Sequence, residues 1–421
     1  MIHLLLAASL FVRAAHLFDG VAEKRDVVLE IEGDRIKSVG ATIPAGAKVL
    51  DFGPGFTVLP GLIDCHVHLS ARADRYDPIW GFRTSPLQQA MFATVHARRT
   101  LEAGFTTVRD LGSPPFLSAD LRDTINEGLL PGPRIVASGP GISITGGHGD
   151  LNNYAPEILV NAFPEERGFR IADGADQVRQ TVRAQVKHGV DVIKIHASGG
   201  VLSRGDEPGA PQFTLEELKV AVEEAHKSGR RIAAHAHGTR SIHDAVLAGV
   251  DSIEHGSLLD DEDIRLMKEH GTFLDADIYN DDYILQEGAK HGMEAEHIEK
   301  ERRIGRLQRE SFARAVKAGV RIAFGTDAGV YPHGDNARQF FYMVKYGLTP
   351  LQAIRSATAD AAELLNRPDV GQLVAGRLAD LIVVTGDPLK DVRLLEKVPF
   401  VMKGGAVVKD TRADEKLAAH R

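Results

Sequence analysis

The chain is poor in cysteine: its 421 residues hold one, Cys65. A single thiol excludes an intramolecular disulfide framework and any thiolate-rich zinc or iron–sulfur site. Excess basic charge is also lacking. Lysine and arginine number 50 against 58 acidic residues, for a formal net charge of −8, and no basic block interrupts the balance. The electrostatic footprint of a nucleic-acid or anionic-membrane binder is missing, and neither partner is expected. Long apolar runs are absent as well. The stretch Leu4–Val12 falls short of the roughly 18 residues of a membrane helix and lacks the basic start of a secretory leader, so it is read as a β-strand. A soluble protein is expected, cytoplasmic, or periplasmic or secreted if a leader has been removed.

What the chain does have is a repeated unit. A helical stretch ends in glycine and is followed by a short β-branched run: Gly104 before Phe105–Val108, Gly189 before Val190–Ile195, Gly229 before Arg231–His235. The pattern returns at Gly249 before Val250–Ile253, Gly271 before Thr272–Ala276 and Gly319 before Val320–Phe324. Glycine adopts the left-handed conformation that ends a helix cheaply and turns the chain into a strand. With Thr57–Ile63 and Arg134–Ser138 the strands number eight, alternating with segments long enough for helices. Such alternation predicts a parallel sheet, and eight units predict an α/β fold of the (β/α)8 TIM-like barrel type, with an open doubly wound sheet as the alternative.

Both ends read differently, with two-residue alternation at Asp26–Ile31, Arg35–Val39, Leu381–Val384, Val398–Met402 and Ala406–Val408. The expected division is a composite β-sandwich domain from residues 1–55 and 372–421, with the barrel, 56–371, inserted between.

In a barrel of this kind catalytic groups sit at the C-terminal ends of the strands. The first strand ends in His66-Val67-His68, whose alternation puts both imidazoles on one face, able to hold one ion, while Cys65 points the other way into the core. Lys194 lies between two isoleucines, where a lysine is either neutral and functional or reaches out to solvent. His235 and His237 end the fifth strand, His255 the sixth, and Asp327 follows the eighth. Jointly these nitrogen and oxygen donors point to a divalent metal, with zinc the default.

These residues resemble the amidohydrolase superfamily of metal-dependent hydrolases. The resemblance is carried by Pro60-Gly61-Leu62-Ile63-Asp64-Cys65-His66-Val67-His68, Lys194, His235, His255 and Asp327, in the family's order, and by Gly376–Leu381 near the C-terminus. It implies two metal ions, one held by His66, His68 and Asp327 and the other by His235 and His255, bridged by Lys194 as a carbamate formed with carbon dioxide. His237 shares a face with His235 and is the alternative ligand. The implied reaction is amide hydrolysis by a metal-bridging hydroxide, with Asp327 moving the proton to the leaving nitrogen.

The glycine-flanked His148 in Ser143–Asp150, together with His235–Gly238, looks like the branch containing prolidase-like dipeptidases, carboxypeptidases acting on N-acyl amino acids, and ochratoxin-degrading amidohydrolases. The scissile bond is then an amide to a C-terminal amino acid in a dipeptide or other small molecule. His148 and His237 are expected to contact its carbonyl or carboxylate. Arg204, Tyr331, His333 and Arg338 are further substrate-contact candidates on loops, and Glu294–Lys317 reads as a charged helix face rather than a binding patch. The rival readings are opening of a cyclic amide such as an imidazolone or hydantoin, and deamination by a mononuclear site, which leaves Lys194 unexplained. A protein that has kept the fold and lost activity should lack ligands, and none is missing. By analogy of fold a homo-oligomer is expected.

Overall fold

The computed structural model describes residues 9–76, 79–152, 154–155 and 167–412. The start of the Leu4–Val12 run therefore lies outside the described residues, and its end opens β1 (Leu10–Phe18). β2 (Glu23–Glu32), β3 (Arg35–Val39) and β4 (Lys48–Pro60) follow. The middle of the chain supplies β5 (Leu62–Val67), β6 (Phe105–Asp110), β7 (Arg134–Ala137) and β8 (Val192–His196). It continues with β9 (Arg231–Ala236), β10 (Ser252–His255), β11 (Phe273–Asp275) and β12 (Arg321–Ala323). The C-terminal part adds β13 (Leu381–Thr385), β14 (Phe400–Lys403) and β15 (Ala406–Asp410).

Both chain ends share one seven-stranded sheet, in the order β15-β14-β13-β4-β1-β2-β3. The sequence leads one to expect a β-sandwich; hydrogen bonding runs unbroken through all seven strands, β4 pairing with β1 on one edge and β13 on the other, and the sheet curls so that the β2–β3 turn at Gly33 meets Gly405 between β14 and β15. The same pairing corrects the start of the first middle strand. Thr57–Pro60 opposes Leu381–Val384 in the terminal sheet, and β5 begins only after Gly61. That glycine is forced by contact, since a Cβ there would lie 2.1 Å from Thr106 Oγ1.

β5 to β12 form two all-parallel sheets, β5-β6-β7 and β12-β11-β10-β9-β8. Isolated parallel bridges link them at both seams, from Val67 to Ala328 beyond β12 and from Ile142 beyond β7 to Ile195. All six glycines of the repeated unit take positive φ, and Gly249, Gly271 and Gly319 cap the preceding helices in the left-handed conformation. Apolar residues of β5, β6, β8, β9 and β10 join those of the surrounding helices in one large buried cluster. None of the described helices is long and apolar enough to cross a membrane.

Candidate metal centre and substrate cavity

The sequence-predicted groups converge. A cavity of about 490 Å³ is lined by Lys194 from the middle of β8 and by His66, His68, His235, His237, His255 and Asp327, near or past the C-terminal ends of β5, β9, β10 and β12. Its size suits a small organic ligand. Two of these residues hold the left-handed region without being glycine, His255 at φ 72° and Asp327 at φ 54°. Such strain persists only where surrounding structure enforces it, and here it turns both side chains off their strands into the cavity.

Hydrogen bonds set which nitrogen each imidazole presents. His68 Nδ1 donates to Gly112 O at 3.0 Å, His255 Nδ1 to Asp277 Oδ1 at 2.8 Å, and His235 Nε2 to Gly199 O at 3.1 Å. His66 Nδ1 lies 3.0 Å from Glu254 Oε2. Burial keeps the His66 and His235 rings well below their usual proton affinity, hence neutral, as metal ligands must be. The remaining ring nitrogens therefore carry lone pairs. His66 Nε2 and His68 Nε2 face Asp327 Oδ1 at 3.5 and 3.1 Å, an oxygen without a well-aligned hydrogen bond. Two imidazoles and a carboxylate turned on one another draw positive charge between them: against its burial, the Asp327 carboxylate raises the proton affinity of His68, and a metal cation would serve the same place. Ligand atoms of His66, His255 and Asp327 lie within 4.8 Å of one another, as do those of His235, His237 and His255, so the donor set fits divalent metal.

Lys194 sits in the middle of β8 and is 2 % exposed, so it does not reach solvent. Among the described residues its ammonium has no hydrogen-bond or ion-pair partner. Burial lowers its proton affinity against the pull of Glu254 and Asp327. Beneath it Arg109, fully buried, donates to Glu254 Oε1 at 2.9 Å and Asp275 Oδ2 at 3.1 Å. Replacing Arg109 by methionine strands both carboxylates. The expected loss is about 3–5 kcal/mol of unfolding free energy in a urea titration, the cost of breaking a buried ion pair on one side.

His148 also lines the cavity, stacked on His235 with ring centroids 4.1 Å apart. Only glycine fits beneath it at position 200, where a Cβ would lie 2.1 Å from His148 Nδ1. Ser203 Oγ stands 2.7 Å from His148 Nδ1 and donates to Asp206 Oδ1 at 2.6 Å. Although burial opposes it, the Ser203 hydroxyl and the Lys300 ammonium hold the Asp206 carboxyl below its usual range. With the hydroxyl proton committed to that carboxylate, Ser203 accepts from His148 Nδ1–H, and a neutral His148 presents Nε2 as an acceptor. Burial pulls this imidazole down to about 4. A neutral His148 thus offers an acceptor nitrogen to the cavity. His237 binds Ser257 Oγ through Nδ1 at 2.7 Å.

The other substrate-contact candidates do not reach the cavity. Arg204 is exposed. Tyr331 is fully buried against Tyr279 and Tyr283, packed by its aromatic surface into the core. His333 is held by Thr100 and His68 O, and Arg338 lies on the surface beside Tyr279 and Asp335. Cys65 is buried, as its strand position predicts.

Sequence reasoning missed other lining residues: Arg170, His196, Asp277, Asn280, Glu301 and Gln308. Arg170 is the one guanidinium among them. The charged helix, observed as Ala295–Ala318, is not only a solvated face; Glu301, Ile304 and Gln308 line the cavity. Their spacing of three and four was the available signal.

Comparison with known proteins follows this geometry. A profile described as "Amidohydrolase family" matches residues 57–408. The ochratoxinase of Aspergillus niger is 37% identical over 368 residues, 84% of this chain and 75% of its own. Its crystal structure superposes with a TM-score of 0.86 at 34% identity, covering 96% of each chain. A Xaa-Pro dipeptidase crystallised with methionine in its active site gives a TM-score of 0.88 at 37% identity, covering 95% of this chain and 99% of its own.

Proposed function

Because this chain belongs to the amidohydrolase family and is a hydrolytic enzyme, we propose that it cleaves the amide bond to a C-terminal amino acid, in dipeptides or N-acyl amino acids. The observation that carries the reading is a cavity that, among the described residues, holds the convergent metal-ligand set. The names of the relatives agree, since ochratoxinase and Xaa-Pro dipeptidase both denote hydrolysis at an amide. The eight parallel strands are read as closing into a (β/α)8 barrel that begins at β5, with the described residues of both chain ends, through Pro60 and from 372 on, forming a second domain; the bridges at both seams support closure.

In this proposal His66, His68 and Asp327 hold one divalent ion, zinc by default, and His235 and His255 the other. Lys194 would complete the donor set as a carbamate, formed when its neutral amine adds to carbon dioxide and releases one proton. When bound, the metals supply activation of water and polarisation of the scissile carbonyl. The residues do the rest. Asp327 accepts a proton from the attacking water and delivers it to the leaving nitrogen. His237 Nε2 faces the substrate carbonyl, His148 Nε2 receives the substrate N–H, and Arg170 pairs with the carboxylate.

The test is mass-spectrometric product analysis of zinc-reconstituted enzyme in bicarbonate buffer with dipeptides, N-acyl amino acids including ochratoxin A, and cyclic amides. Free C-terminal amino acids are expected. Ring-opened products or ammonia, with acyclic amides intact, overturn the reading. Arg170→Met should raise KM about tenfold to a hundredfold, the worth of one charge-assisted contact, with kcat less affected. A C-terminally amidated substrate should be indifferent to the change, and an equal loss on it would remove Arg170 from carboxylate binding.

A further inference from the structure

Resting on that reading, one lining residue points to the class of substrate. Glu301 is 5 % exposed, lines the cavity, and among the described residues has no hydrogen-bond or ion-pair partner. A buried carboxyl left in this way is costly unless a ligand completes it. It is not alone. Gly305, one turn along the same helix, has no side chain, and into that space come both Glu301 Oε1 and Asp281 Oδ1, each within 2.6 Å of where a Cβ would stand. The nearest cation is already engaged. Arg309 pairs with Asp281 Oδ2 at 2.8 Å and Asp282 Oδ1 at 2.9 Å, leaving Glu301 and Asp281 Oδ1 facing each other. Asp277, also in the cavity wall, is occupied by His255, Asn280 and Gln308. The cavity thus carries a guanidinium at Arg170 and an uncompensated carboxyl at Glu301, on different elements.

We propose that Glu301 is a specificity-determining residue that receives the α-ammonium group of a free dipeptide, so that zwitterionic dipeptides are preferred over N-acyl amino acids. Arg170 then takes one end of the substrate and Glu301 the other. Burial and the neighbouring Asp281 and Asp277 push the Glu301 carboxyl up to about 8 in the free enzyme, so an incoming ammonium displaces a proton from it.

The experiment compares three substrates that share phenylalanine as leaving group: alanyl-phenylalanine, its isostere N-isobutyryl-phenylalanine, in which a methyl replaces the ammonium, and 6-aminohexanoyl-phenylalanine, whose ammonium is distal. Wild-type enzyme should favour alanyl over isobutyryl in kcat/KM by about tenfold to a hundredfold, the worth of one charged hydrogen bond. Glu301→Gln should erase that preference, the loss in kcat/KM falling chiefly on the alanyl substrate. Calorimetry of alanyl-phenylalanine in two buffers of different ionisation enthalpy should show proton release with the wild type and none with Glu301→Gln. A preference for the distal ammonium overturns the α-ammonium assignment. Equal handling of all three, unchanged in Glu301→Gln, overturns the subsite. If none is hydrolysed, the amide-hydrolase reading fails, and the calorimetric comparison of alanyl with isobutyryl still decides whether Glu301 binds the ammonium.

Discussion

Replacing Lys194 by methionine should leave a folded protein that has lost turnover and much of its metal. The reasoning starts from burial. Lys194 has no partner for its ammonium among the described residues and stands beside the histidines of the cavity, so as a free cation it repels metal and destabilises its strand. As the proposed carbamate it would be an anionic metal ligand. Methionine fills nearly the same volume without charge, and a buried ion replaced by a well-packed apolar side chain is often neutral or stabilising. The thermal midpoint should therefore hold while activity falls by more than about a hundredfold, the loss that removing even an outer partner of a ligand can produce. Metal analysis after gel filtration and a melting curve check both halves. Full metal retention with normal turnover would remove Lys194 from the centre.

Asp327→Asn should lower kcat by about 10²–10⁴-fold with metal content matched to wild type, the range expected when a general acid–base group is removed. Asparagine is the apt replacement because position 327 holds a left-handed conformation, φ 54°, that Asn tolerates and most residues do not. The backbone stays; the carboxylate oxygen that faces His66 and His68 becomes an amide atom unable to carry the proton. Steady-state kinetics at saturating metal make the measurement. Near-normal turnover under those conditions would assign Asp327 to metal holding alone and move the proton shuttle elsewhere.

Much of the site was legible before folding because its grammar is local. His66 and His68 share a face by strand alternation, Lys194 declares itself by standing where an ammonium does not belong, and the helix–glycine–strand unit marks the strands that lead to Lys194, His235, His255 and Asp327. The substrate wall had no such grammar. Arg204 and Tyr331 were chosen from loops by residue type, yet one is exposed and the other sealed in an aromatic core, while Arg170 and His196 complete the cavity. Glu301 sits in a helix whose charge density reads as solvated, and only the packing of that helix over the strand ends turns its buried face inward.

The sequence by itself determined the parallel strand-and-helix order, the residues able to ligate metal and the composite origin of the terminal sheet, because strand alternation, helix capping and the cost of a buried charge act over a few neighbouring residues. Tertiary structure alone decided which nitrogen each histidine presents, that Arg109 lies beneath the centre against Glu254 and Asp275, and which distant groups close the cavity. Those outcomes depend on hydrogen bonds and burial between residues far apart in the chain, such as His148 with Ser203 or Glu301 with Asp281, and no local pattern specifies which of them meet.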